Sequence, residues 1–300
     1  MRIVPFAQPA VIRLAACLND GPALFLKRSA AAFQDALADV TCLAADFDGT
    51  MVRGNTFRHI ERLLCEKGMA SNERALEDHI AYVSCRSPAP APAADFRDWL
   101  ESVGAESDVD RACSEAGLLA QAVINMIRAG VRRPDLEDIA KALSLRPGVE
   151  ALAAACDRGA VVSAGMEDVS RAFLSGRGPA LARLDVIGAV RLAFDEGGRI
   201  VGLRHNLWPS PTKGANVRRL CRFWHVERAH VLSIGDSPFD VDLFQESGVA
   251  VGILPPYAED PLAFDDHLAR FDGYWNAVDA LLVGDSLQPL ADLVRAARAA

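Results

Sequence analysis

The sequence predicts an α/β protein: a doubly wound parallel sheet with an inserted, mostly helical second domain. Three observations lead there. Two short apolar runs, residues 40–45 and 231–234, each end in an acidic cluster. They read as strands buried on both faces, which have no polar side to show. From Arg146 onward strand-like runs alternate with helical patterns, the rhythm of a parallel sheet wrapped by helices. Residues 55–145 show helical spacing and no convincing strand.

Taken in order, residues 1–39 precede the first acidic cluster and read as a strand-and-helix extension of open role. Residues 3–18 are apolar but interrupted by Pro5, Gln8, Pro9 and Arg13, a poor secretory core, and no stretch is long enough to span a bilayer. Residues 40–45 form the first core strand. Phe57, Ile60, Leu63 and Leu64 then recur at helical spacing, as do Leu119, Val123, Met126 and Ile127, and Leu136, Ile139, Ala140 and Leu143. Within that region Ser87-Pro88-Ala89-Pro90-Ala91-Pro92 cannot sustain a helix and reads as a stiff loop. Pro147 and Gly148 open a helix running to Gly159, and residues 160–163 form the second core strand. Residues 186–194 and 199–203 flank Asp195-Glu196-Gly197-Gly198, a hairpin signal. Val217, Leu220, Cys221 and Trp224 mark one helix face after Lys213. A strand at 231–235, a short helix ending at Gly248 and a strand at 249–253 follow. The expected domains are residues 40–54 with 146–300 for the core, and 55–145 for the helical insert.

Composition narrows the function. A chain of 300 residues, half hydrophobic and about a quarter charged, is ordinary for a folded enzyme and excludes wholesale disorder. The net charge of −8 argues against a nucleic-acid partner, whose phosphates it would repel. A local cationic pocket for a small phosphate is compatible with it. Seven cysteines without a C-x-x-C pair fit reduced, mostly buried thiols in the cytoplasm.

Four motifs carry the chemistry. Asp46-Phe47-Asp48-Gly49-Thr50 ends the first strand and Gly235-Asp236-Ser237-Pro238-Phe239-Asp240 ends a later one. Carboxylates there face the crevice where open α/β sheets bind ligands, and hard oxygen donors suit Mg²⁺ together with substrate phosphate. Asp46 fits a nucleophile that attacks phosphorus. Asp48, two residues on and on the same side of an extended chain, fits the acid that protonates the leaving oxygen, its pKa raised by neighbouring carboxylates. Gly49 allows a tight turn that offers its N–H to phosphate, and Thr50 lies beside it in the same substrate-binding turn. Ser163-Ala164-Gly165 brings a hydroxyl and backbone N–H groups to the end of the second strand, where they can bind phosphate oxygens. Lys213 opens a helix, where the dipole disfavours a cation, and so points to a nearby anion cluster. Asp236 and Asp240 lie four apart near one helix start; Asp242 continues the acidic run and is expected to face elsewhere. Arg218, Arg219 and Arg222 read as a solvated helix face, His205, Trp208 and His225 as structural groups, and Arg53 and Arg58 as candidates to reach substrate.

Aspartate pair, serine, lysine, aspartate pair, in that order, resembles the haloacid dehalogenase superfamily of aspartyl-nucleophile phosphohydrolases, over about 260 residues. The resemblance implies a Rossmann-like core with a mobile lid inserted after the first motif, as in the phosphoserine-phosphatase-type branch. It implies that Lys213 bridges the nucleophilic carboxylate and the phosphate. It implies a Mg²⁺ site formed by Asp46, the main-chain carbonyl of Asp48 and Asp236, supported by Asp240. Dehalogenases of the family do not have the second aspartate, so Asp48 points to phosphoryl transfer. Ala164-Gly165 and Pro238-Phe239 stand where phosphoserine phosphatases usually carry a paired glycine and Gly-Asn, which argues against serine phosphate. The expected activity is Mg²⁺-dependent hydrolysis of a small phosphorylated metabolite, with a second copy of the chain as the one protein partner to consider. The alternatives are a phosphomutase or phosphotransferase using the same aspartyl-phosphate, and a non-catalytic binding protein on this fold.

Overall fold

Alternation along the strands explains the architecture. The computed structural model describes residues 2–5, 12, 22–68, 123, 125–206, 213–256, 264–265, 268–269 and 276–300. In strand β3 (Cys42–Ala45), Leu43 and Ala45 enter one hydrophobic cluster while Cys42 and Ala44 enter another on the opposite face. Strand β6 (Arg158–Met166) divides the same way, Val161 against Ala160 and Val162. A sheet apolar on both faces must be covered on both. Helices α1 (Ala30–Ala38), α4 (Val149–Ala155) and α9 (Gln288–Ala299) cover one face, and α7 (Lys213–Trp224) and α8 (Val241–Gln245) the other.

Among the described residues the main sheet has nine strands. Its remaining members are β1 (Arg2–Pro5), β2 (Ala23–Leu26), β7 (Asp185–Phe194), β8 (Ile200–Asn206), β9 (Val231–Gly235), β10 (Val249–Leu254) and β11 (Ala280–Val283), in spatial order β1-β2-β11-β10-β9-β3-β6-β7-β8. The central run from β11 to β7 is parallel throughout. Strand β3 therefore lies between β6 and β9, with Ala45 level with Val161 on one side and Ile234 on the other. That register brings the three motif-bearing strands side by side.

The edges differ from expectation. Residues 23–38 are built into the sheet and core: β2 pairs antiparallel with β11, and Phe33 and Leu37 of α1 are fully buried in the main cluster. Burying side chains of that size contributes about 1.5–3 kcal/mol each. Ser29 caps α1 by accepting the Ala32 N–H at 3.2 Å. The second core strand runs longer at both ends than residues 160–163, and the expected hairpin is present as antiparallel β7 and β8.

A small antiparallel pair, β4 (Val52–Arg53) with β5 (Ser144–Leu145), stands beside the two ends of residues 55–145. Helices α2 (Thr56–Glu66) and α3 (Arg133–Ala142) fall within residues 55–145, of which 69–122 and 124 lie outside the described residues. Helix α3 packs against α5 (Glu167–Ser175), and Leu136, Ile139 and Ala140 join the main core cluster. Leu119, the proline-rich stretch at 87–92 and Trp208 lie outside the described residues, and no helix among the described residues is long and apolar enough to cross a membrane.

Candidate active site

The chain leaves β3 at Asp46 and turns at once. Phe47 is buried and packs edge-on against Phe173 of α5, ring centroids 5.5 Å apart, which anchors the turn between two carboxylates. Gly49 has φ +74°, and a Cβ there would lie 2.1 Å from Asp236 Oδ2. Only glycine lets the end of β9 come this close. Asp236 is then held by the Thr50 hydroxyl, which donates to Oδ1 at 2.9 Å.

Lys213, 8 % exposed, lies inside this cluster. Its ammonium donates to Asp46 Oδ1 and to Asp240 Oδ1, each at 2.5 Å. Asp240 is fully buried, and its second oxygen accepts the Ser237 N–H and hydroxyl, both at 3.0 Å. Burial opposes the charge on Lys213, but the carboxylates of Asp240 and Asp46 outweigh it and hold the ammonium well above its ordinary range. Burial pushes Asp46 upward; Lys213 opposes the rise, and Asp240 and Asp236 add to it. An ammonium this deeply buried keeps its charge only against ionised partners, so Asp46 and Lys213 form an ion pair.

Asp48 is pinned differently. Its Oδ1 accepts the Thr56 N–H at 2.8 Å and the Thr56 hydroxyl at 2.5 Å, at the first turn of α2. A Cβ on Gly165 would lie 3.7 Å from Asp48 Oδ2 and 3.3 Å from Ser163 Oγ. The other carboxyl oxygen of Asp48 therefore faces Ser163 and Gly165. The Asp48 carboxyl is raised as expected, but burial is the main cause and the Asp236 charge a lesser one, with Thr56 opposing. Repulsion between carboxylates was expected to dominate; the desolvated position beneath α2 does so instead.

Two backbone donors are not where the sequence placed them. The Gly49 N–H donates to the Gly54 carbonyl at 3.0 Å, so it is spent within the turn, and the Gly165 N–H donates to Ser163 Oγ at 2.9 Å. Ser163 is 6 % exposed and lies within β6 rather than at its end, where the register with β7 shifts.

Asp242, expected to face elsewhere, belongs to the site's framework. It accepts the Gly214 N–H at 2.9 Å, an anion at a helix N-terminus that offsets the dipole working against Lys213. A Cβ on Gly214 would lie 2.5 Å from the Asp242 carbonyl, so α7 and α8 touch backbone to backbone just where the lysine emerges. Thr56 escaped the sequence reading, Ser237 stood in its motif without a role, and Asp242 was set aside. Each sits within three residues of a motif acid or lysine, or opens the helix after the first motif, the one available signal. Arg53 pairs with Asp285 rather than standing free for substrate, and Arg58 is exposed on α2. Arg219 and Arg222 are exposed, while Arg218 pairs with Glu246.

One oxygen each from Asp46, Asp236 and Asp240 lies within 4.8 Å of the others. Hard carboxylate oxygens converging at strand ends fit Mg²⁺. Asp46 and Asp236 are the ligands this geometry favours, since Lys213 and Ser237 already occupy both oxygens of Asp240.

The fold has relatives among solved structures. A phosphoserine phosphatase holding a phospho-aspartyl intermediate analogue is 14% identical at TM-score 0.54, covering 84% of this chain and 98% of that one. A probable phosphoserine phosphatase from Vibrio cholerae is 14% identical at TM-score 0.57, over 89% of this chain and 68% of that one. Cytosolic 5'-nucleotidase IIIB bound to cytidine is 14% identical at TM-score 0.51, over 96% and 98%. These likenesses establish the fold: a Rossmann-like α/β core with a mostly parallel sheet. No family model and no curated protein matches the sequence.

Proposed function

We propose that this chain is a Mg²⁺-dependent phosphatase that hydrolyses a small-molecule phosphomonoester through an aspartyl-phosphate on Asp46. The observation that carries the reading is the buried ion pair of Lys213 with Asp46 and Asp240, set beside Asp236 and Asp48 at the ends of two adjacent parallel strands. A structural core has no use for two carboxylates and one ammonium shut away together with two more carboxylates beside them, whereas phosphoryl transfer needs charge positioned around an anion.

Asp46 and Asp236 would hold the ion, with the Asp48 carbonyl nearby and Asp240 behind. When bound, Mg²⁺ supplies positive charge that neutralises the phosphate oxygens. Lys213 fixes the Asp46 carboxylate by one oxygen and meets phosphate charge with its own. Asp46 forms the new P–O bond as the ester P–O bond breaks. Asp48, with Oδ1 held by Thr56, gives its proton to the leaving oxygen from Oδ2. A water then attacks phosphorus, returning its proton to Asp48 and releasing Asp46 with inorganic phosphate. Burial keeps Asp48 protonated to higher pH than an exposed aspartate, which suits the acid step. In this reading Ser163 binds a phosphate oxygen through its hydroxyl.

The motifs grip only the phosphoryl group, so choice of leaving alcohol falls to the insert at residues 55–145, whose first helix begins on Asp48 itself. Names of the structural relatives support phosphate esters as a class, the alcohol being serine in one and a nucleoside in another. The test is release of inorganic phosphate from a panel of phosphorylated metabolites with Mg²⁺, with and without chelator. Metal-dependent release from one class of ester is expected. Activity that survives verified metal removal, or transfer to a sugar hydroxyl without free phosphate, would replace this reading.

A further inference from the structure

Arg146 stands outside every motif, yet its side chain is 7 % exposed. Nε donates to the Thr50 carbonyl at 2.8 Å, Nη2 to the Gly49 carbonyl, and Nη1 to Asp285 Oδ1 at 3.1 Å. Its backbone N–H donates to the Met51 carbonyl at 2.9 Å. Asp285 follows β11 and also pairs with Arg53 on β4. A guanidinium buried this far is tolerated only when its fork of donors is used, and here the fork spans two successive carbonyls of one turn. That turn sets Asp236: Thr50 Oγ1 donates to Asp236 Oδ1 at 2.9 Å, and the Gly49 α-carbon packs against the same carboxylate. Rotating the Gly49–Thr50 peptide would move both contacts together.

We propose that Arg146, anchored by Asp285, is a positioning residue that locks the Gly49–Thr50 backbone so that Asp236 keeps its orientation toward Asp46. The proposal rests on the reading of that cluster as a metal and phosphate site. It predicts an effect on Mg²⁺ binding that passes through two carbonyls and one hydroxyl without contact between Arg146 and the ion. Groups that orient metal ligands typically change affinity 10–100-fold when removed.

Arg298 supplies the control. It too donates to a backbone carbonyl, that of Ala155, and pairs with an aspartate, Asp157, both at the other end of the sheet. The experiment compares full-length Arg146→Met, Arg146→Lys and Arg298→Met. Three readouts apply: melting temperature, calorimetric titration with Mg²⁺ alone, and hydrogen exchange of the Gly49, Met51 and Val52 amides in metal-free protein, all three hydrogen-bonded within the turn. Both methionine variants should melt lower. Only Arg146→Met should exchange those amides at least about tenfold faster and weaken Mg²⁺ binding by about 10–100-fold, with kcat falling more than KM rises. Arg146→Lys keeps the charge but cannot span both carbonyls, so it should recover melting temperature more than Mg²⁺ affinity; it carries the test if the methionine variant does not fold. Unchanged exchange and affinity in a folded Arg146 variant, or equal changes from Arg298→Met, would overturn the proposal. If the wild type neither binds Mg²⁺ nor releases phosphate, the reading of the cluster fails instead, and the exchange rates decide the lock alone.

Discussion

The two ends of the central sheet handle charge in opposite ways. At the amino ends, arginines sit on the rim and close off the end of a helix. Arg183 donates to the Ala153 carbonyl at 2.7 Å and to that of Cys156, and Arg298 reaches the Ala155 carbonyl and Asp157. These carbonyls lie in the last turn and C-cap of α4, where backbone partners run out; Ala153 also accepts the Cys156 N–H at 3.4 Å. Asp157 is 62 % exposed on its side chain, so water shares the load. At the carboxyl ends Lys213, Asp46 and Asp240 are all nearly or wholly excluded from water. Rim charges settle loose backbone ends at little cost. Charges enclosed with their like cost stability and shift pKa values, a combination that marks sites of chemistry.

The contrast breaks first at Asp46. Asp46→Asn should reduce phosphate release at least about a hundredfold, because an amide cannot serve as the nucleophile, while the circular dichroism spectrum stays that of the wild type. Residual activity above that level would remove Asp46 from the nucleophile's role. No rim substitution should approach this loss.

Lys213→Met comes next and tests the energetic side. It leaves two buried carboxylates without their cation, so denaturant unfolding should show a loss of about 3–5 kcal/mol. Arg298→Met should lose only about 1–2 kcal/mol, the worth of hydrogen bonds to a partly exposed charged group. Equal losses would mean that the buried cluster is no more demanding than the rim.

Asp48 sharpens the comparison through pH. Burial raises its pKa in the folded protein, so the unfolded chain ionises first and stability from the protonated form is lost as pH rises through the folded value. Asp48→Asn removes that charge and keeps an oxygen for Thr56. It should stabilise the metal-free protein at pH 8, and the gain should shrink toward zero as pH falls into the ordinary aspartate range. The variant should also lose its phosphatase activity. A gain that does not vary with pH would show that the carboxyl titrates normally.

The smallest effect is expected at Asp157. Asp157→Asn should change stability by under about 1 kcal/mol, as exposed pairs do, and leave phosphate release intact. A larger change would mean that the amino end is more than a rim.

Much of this was readable in advance. The runs at 42–45 and 231–235 are continuous and apolar because their strands are covered on both faces, and each is followed at once by its acids. Lys213 was legible through a conflict, a cation at the wrong end of a helix. Arg146 and Asp285 gave no such sign: they are 139 residues apart and meet only because β11 and the start of α4 end near the same turn. Strand β2 is similar. Its residues Ala23–Leu26 are all apolar, but their pairing with β11 depends on an edge built from the far end of the chain.

The sequence by itself determined the doubly wound class, the strands that carry the acids and the residue types at the site, because periodicity and local turn chemistry act over a few residues. Only the tertiary structure decided which donors are free and which are spent, as at Gly49 and Gly165, and why Asp48 is raised. Hydrogen-bond pairing and desolvation depend on what packs against a group from distant parts of the chain, and no local pattern records that.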